Sequence, residues 1–175
     1  MPEQRTTLPN ARVSPRFAGI PTFCRYPILE HVEPAHLPVD WAIYGAPFDS
    51  GVTYRPGTRF GPRAIRDASQ YVKPYSIVHD VNVCEILSLA DAGDAPVRPF
   101  DCEDNRDAIY DFARGLGDPS VTKLMAVGGD HSIAYANIKA TWERRGKPSG
   151  GLPVLHFDSH VDTVDVTLGE RWSHA

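Results

Sequence analysis

Apolar and polar positions change rhythm along the chain, and each change marks an element. Residues 1–40 are proline-rich and aperiodic, which predicts an irregular arm folded over the domain or over a neighbouring subunit. From Asp40 the pattern tightens. Trp41-Ala-Ile-Tyr44 is a short apolar run stopped by Gly45 and Pro47, and predicts a strand. Asp49 to Gly61 is a glycine-rich loop. Pro62 suits a first helical turn, where its missing N–H costs nothing, and residues 63–69 continue as a helix. Ile86 to Ala90 predicts a second strand, ended by Asp91-Ala-Gly93-Asp94. Asp104 to Leu116 puts Ile109, Phe112, Ala113 and Leu116 on one helical face, with Gly117 closing it. Val121 to Val127 reads as a third strand and Ser132 to Arg145 as a helix packing through Ile133, Ala136, Ile138 and Ala140. Val154 to Phe157 reads as a fourth strand.

Strands alternating with helices predict right-handed βαβ units, and so an α/β fold with a mainly parallel sheet covered on both faces. In such sheets functional groups gather beyond the carboxyl ends of the strands. The expected division is an arm over 1–40 and one domain over 41–175.

Composition narrows the partners. At 175 residues the chain has the size of one domain, with 42% hydrophobic and 23% charged residues. The net charge of −4 and pI of about 5.9 provide no basic field, so neither nucleic acid nor a membrane surface is an expected partner. Cys24, Cys84 and Cys102 are odd in number and lack a C-x-x-C pair, which fits reduced thiols in a cytoplasmic protein. The N-terminus has no apolar signal region, and no run of about 18 apolar residues predicts a span.

Two segments carry chemistry. In His156-Phe-Asp-Ser-His-Val-Asp162, the ligand types Asp158, His160 and Asp162 are spaced by two, which in extended backbone puts all three on one face. Two carboxylates and an imidazole make a mixed site suited to Mn²⁺, Ni²⁺ or a related divalent ion. The plainer alternative is a solvated strand exit. Gly128-Gly-Asp-His-Ser132 shifts the balance, because His131 stands at the end of a different predicted strand, within reach of Asp158 and Asp162. Asp130 can cap the following helix or orient a ligand. His156 shares the parity of the ligands, yet a buried strand histidine is its commoner role. Arg55, Arg59, Arg63 and Arg66 resemble an anion site, but in an acidic chain solvated or subunit-contact roles fit better. No G-x-x-x-x-G-K-[ST] or strand-borne G-x-G-x-x-G is present, so no nucleotide cofactor is expected.

GGDHS followed by HFDSHVDT resembles the ureohydrolase (arginase–agmatinase) superfamily. Residues 19–27, 45–69 and 91–94 look like its agmatinase and guanidinobutyrase branch. The resemblance implies an arginase-like three-layer sandwich, incomplete in this chain, and two Mn²⁺ ions, with Ni²⁺ or another divalent ion as the alternative. Position by position, His131 would bind one metal and His160 the other, Asp158 would bridge both, and Asp162 would join His131. His174, in Trp172-Ser-His174, matches the family histidine that contacts substrate or moves protons, although the family continues Ser-His-Gly where Ala175 stands here. The family also uses a later Asp-x-Asp strand. Nothing after Asp162 supplies it, and Asp165 is too near in sequence. The chain therefore looks like the amino-terminal half of a protein about twice as long.

The implied reaction is hydrolysis of a guanidino compound, agmatine or guanidinobutyrate among them, to urea and an amine, in a homotrimer or homohexamer. Two rivals remain. A two-metal phosphoesterase normally carries its Asp-x-His before its second motif, the reverse of the order here. A truncated or non-catalytic metal-binding subunit is motivated by the missing aspartates.

Overall fold

The computed structural model describes residues 4–175 and contains a three-stranded parallel sheet. Its strands are β1 (Trp41–Ala46), β2 (Leu89–Asp94) and β3 (Lys123–Gly128), in the order β2-β1-β3. Trp41 lies opposite Leu89 and Lys123, and Ala46 opposite Gly128, so all three strands end at one edge. Helices α1 (Gly61–Ser69), α2 (Cys102–Gly115) and α3 (Ile133–Arg144) alternate with them.

Alternation along β1 sorts the layers. Tyr44 and Ala46 pack into a buried cluster with Phe48, Ile109, Ala113, Ala136 and Ala140, on the α2 and α3 side. The small Ala113, Ala136 and Ala140 let those two helices approach closely. Gly45 faces the other way, toward α1, where an added Cβ would lie 2.8 Å from Pro62. Helices thus cover both faces of an open parallel sheet, as the strand–helix rhythm predicts. Helix α2 starts on Asp101, whose carboxylate accepts the Asp104 N–H at 2.8 Å, with Glu103 and Asp104 suiting the positive end of the helix dipole.

The arm packs on the outer edge of β2. Asp91 N–H donates to the Pro27 carbonyl, Leu89 N–H to Thr6 Oγ1 at 2.8 Å, and the Thr6 hydroxyl to the Leu87 carbonyl at 2.6 Å. These contacts satisfy an edge that would otherwise invite pairing.

Four expectations need correction. The second strand runs from Leu89 to Asp94 rather than Ile86 to Ala90. Asn82 caps a helical turn at Val83–Ile86, and Asp91 stays inside the strand because a buried arginine neutralises it. The fourth strand, Val154 to Phe157, does not form. Its backbone has no ladder partner among the described residues, and Phe157 is 94% exposed. Ile138 is exposed at the carboxyl edge rather than packed. Finally, of the four arginines Arg66 is buried and Arg59 half-buried, each on a buried aspartate, rather than solvated. Arg66 forks onto Asp91 at 2.8 and 2.9 Å, reaches Asp94 at 2.7 Å, and lies over the Phe23 ring. Arg59 pairs with the buried Asp49. Arg55 and Arg63 are exposed.

Asp49 also links stability to pH. Burial pushes its carboxyl up, but the N–H groups of Arg59 and Gly57 and the Arg59 guanidinium outweigh burial and hold it below the usual carboxylate range. A carboxyl depressed by folding stabilises the protein above its unfolded value, and that contribution is lost as pH falls through the folded one. Asp49→Asn is expected to flatten this acid limb. Between neutral pH and about pH 3, its stability to urea should fall less steeply than the parent's. Parallel acid limbs would refute the assignment.

Candidate metal centre

The strand ends define the site. Beyond β3, Gly129 adopts φ 71°, and a Cβ there would lie 2.4 Å from the Ala46 carbonyl and 2.6 Å from that of Phe48. Only glycine lets the turn pass so close to the exit of β1. Asp130 N–H then donates to the Phe48 carbonyl at 2.9 Å, and Asp130 accepts the Ser132 N–H at 3.0 Å and its hydroxyl. Asp130 is thus the buried post of this turn, and burial raises its carboxyl despite the bonds from Ser132. The turn delivers His131 to the sheet's carboxyl edge.

Residues 156–162 cross over that edge. His131 Nε2 lies 3.3 Å from Asp162 Oδ2, and the His156 ring stacks on that of His131 with centroids 4.9 Å apart. His156 Nε2 is 3.5 Å from Asp158 Oδ2 and 3.6 Å from Asp162 Oδ2. His131, His156, Asp158 and Asp162 each offer one donor atom, all within 4.8 Å of one another. Two imidazoles and two carboxylates at this spacing fit a divalent cation of the Mn²⁺ or Ni²⁺ type.

Of the four residues singled out in the sequence, the structure gathers His131, Asp158 and Asp162. His160 stands outside the cluster, 80% exposed, with Nδ1 3.5 Å from Asp158 Oδ1. The cause is local. Asp158 Oδ1 accepts the His160 N–H at 3.0 Å, a side-chain turn that competes with extended backbone and breaks the alternation assumed for the motif. The same N–H is the main reason the Asp158 carboxyl sits below the usual range. His156 is correspondingly not a buried strand histidine but a member of the cluster. Its signal in the sequence was its parity with Asp158.

His174 lines the same cavity, of 350 Å³, together with His131, His156, Asp162, Tyr135 and Trp172. Its segment is held by Trp172, which packs between Tyr135 of α3, centroids 5.1 Å apart, and the Arg106 guanidinium of α2, 4.1 Å from the ring. Asp165 lies apart, paired with Arg171 at 3.0 Å.

Comparison with known proteins bears on this arrangement. The family model described as the arginase family matches residues 39–175. Proclavaminate amidinohydrolase of Streptomyces clavuligerus is 38% identical over 165 residues, covering 94% of this chain and 50% of that protein. Guanidinobutyrase of Pseudomonas aeruginosa is 36% identical over 163 residues, covering 91% and 48%. Among solved structures, the S. clavuligerus amidinohydrolase superposes with a TM-score of 0.79 at 36% identity, covering 92% of this chain and 50% of its own. A hypothetical agmatinase of Burkholderia thailandensis gives 0.73 at 29% identity, covering 91% and 48%. The chain spans about half the length of the curated relatives it matches.

Proposed function

The chain belongs to the arginase family, and on that premise we propose that the protein it represents performs metal-dependent hydrolysis of a guanidino compound to urea and an amine. The observation that carries the reading is the convergence of His131, His156, Asp158 and Asp162 beyond the carboxyl ends of the strands. His131, Asp158, His160 and Asp162 are the proposed ligands of a metal pair, Mn²⁺ before Ni²⁺, completed by an Asp-x-Asp pair that residues 163–175 do not contain. When bound, the pair supplies the Lewis acidity that lowers the pKa of water into the neutral range.

The remaining work falls to the protein. A guanidinium stays protonated at ordinary pH and its carbon is deactivated by resonance, so the site must hold a cation and deliver a nucleophile to it. The carboxylates oppose that charge, and Ile138, Val154 and Trp172 supply apolar surface beside them in the cavity. His174 is proposed to carry a proton to the departing amine, without which the tetrahedral centre would return to substrate. Agmatine and guanidinobutyrate are the leading substrates, and a cytoplasmic homotrimer or homohexamer is the proposed setting. No helix among the described residues is long and apolar enough to cross a membrane.

A second reading is a metal-binding fragment or subunit without turnover, favoured by the position of His160 outside the cluster. Urea release separates the two. Metal-loaded protein of the relatives' full length, given agmatine, guanidinobutyrate and guanidinopropionate, is expected to release urea from at least one, while residues 1–175 alone release little or none. No urea from any of them by the full-length protein would defeat the hydrolase reading.

A further inference from the structure

We propose that Asp49 is a positioning residue: through the loop it pins, it fixes His174 as the Nδ1–H tautomer and leaves Nε2 as the nitrogen that exchanges protons. Only the catalytic use of Nε2 rests on the hydrolase reading. The tautomer is a property of the chain itself.

Asp49 lies three residues beyond β1 and is almost fully buried. Its carboxylate accepts the Gly57 N–H at 2.6 Å, the Arg59 N–H at 3.1 Å and the Arg59 Nε–H. Three charge-assisted bonds to one side chain tie the two ends of the glycine-rich loop together. Between those ends sits Gly51, whose carbonyl accepts both the His174 N–H, at 3.4 Å, and His174 Nδ1. A carbonyl has lone pairs and no proton, so the imidazole must donate through Nδ1. In the neutral ring that leaves Nε2 bare, and a proton taken up or given away moves at Nε2.

Gly51 is held from the other side as well. A Cβ at that position would lie 3.1 Å from Asp130 Oδ2, 3.2 Å from His174 N and 3.2 Å from Ser132 Cβ. The Cα of Gly51 thus lies close against the turn that delivers His131, while Asp49 anchors the loop that carries it. One loop sets the geometry of His131's turn and His174 together, although Asp49 touches neither imidazole.

The test is long-range ¹H–¹⁵N correlation NMR on the whole chain labelled with ¹⁵N-histidine, with His174→Gln identifying the signal. The parent is expected to show His174 with Nδ1 protonated and Nε2 bare. Asp49→Asn is expected to collapse that pattern to a tautomeric average. The other histidine signals report whether the variant stays folded. Should Asp49→Asn unfold, Arg59→Gln, at a half-buried side chain that leaves Asp49 in place, is expected to shift His174 partway in the same direction. An Nε2–H tautomer in the parent overturns the proposal outright. An unchanged His174 pattern in folded Asp49→Asn, or in Arg59→Gln if that is the variant that folds, overturns the role of Asp49.

Discussion

Arg66→Met is expected to cost about 3–5 kcal/mol of stability, the usual penalty for stranding one member of a buried ion pair. The Asp91 side chain is 3% exposed, and the guanidinium that meets it is shared with Asp94 and the Gly93 carbonyl. Methionine preserves the stem that crosses the interface between α1 and β2 but leaves the Asp91 carboxylate facing Phe23 with only backbone N–H donors, those of Phe23 and Gly93 at 2.9 Å. Because domains of this size are stable by roughly 5–15 kcal/mol, the loss is a large share of the total. Pairing Arg66→Met with Asp91→Asn removes the stranded charge while keeping an acceptor for the Phe23 N–H or the Gly93 N–H, and is expected to recover part of it. Urea unfolding of the parent, the single variant and the double variant gives the comparison. A single variant within about 0.5 kcal/mol of the parent, the range of ordinary surface changes, would mean the pair holds nothing together.

The second large effect concerns the cation. Asp162 faces both His131 and His156, and no other carboxylate in the cluster is equally close to the two rings. Asp162→Ala is expected to weaken Mn²⁺ binding by about 100-fold or more. Losing a residue that merely orients a ligand costs about 10–100-fold, and losing a ligand should exceed that. Asp165→Ala, at an exposed carboxylate paired with Arg171, is the matched control and should leave affinity within a factor of about two. Calorimetric titration with Mn²⁺ measures both. Equal affinities for the two variants would remove Asp162 from the site.

How much of this was legible depends on whether a segment's neighbours are near in sequence. Ile109, Ala113, Ala136 and Ala140 announced themselves by helical periodicity, and all four lie in the core. Asp91 did not, because a charged residue reads as a strand terminator until the Arg66 that neutralises it is known, 25 residues earlier. Arg59 was misread for the same reason, its partner Asp49 lying in what seemed a plain loop. Val154 to Phe157 reads as a strand only if a ladder receives it, and among the described residues none does. The candidate site divides the same way: the turn that delivers His131 was readable from Gly128-Gly129, whereas the extended face assumed for Asp158, His160 and Asp162 does not form. That His156 joins this cluster while His160 lies outside it was not readable, because it follows from one hydrogen bond between Asp158 and the backbone of His160.

A divalent cation is expected between the turn after β3 and residues 156–162 of this chain. Anomalous diffraction at the manganese edge from crystals grown with Mn²⁺ is expected to show a peak bounded by His131 Nε2 and the carboxylates of Asp158 and Asp162. Manganese bound only elsewhere, or no ordered manganese at millimolar concentration, would contradict it.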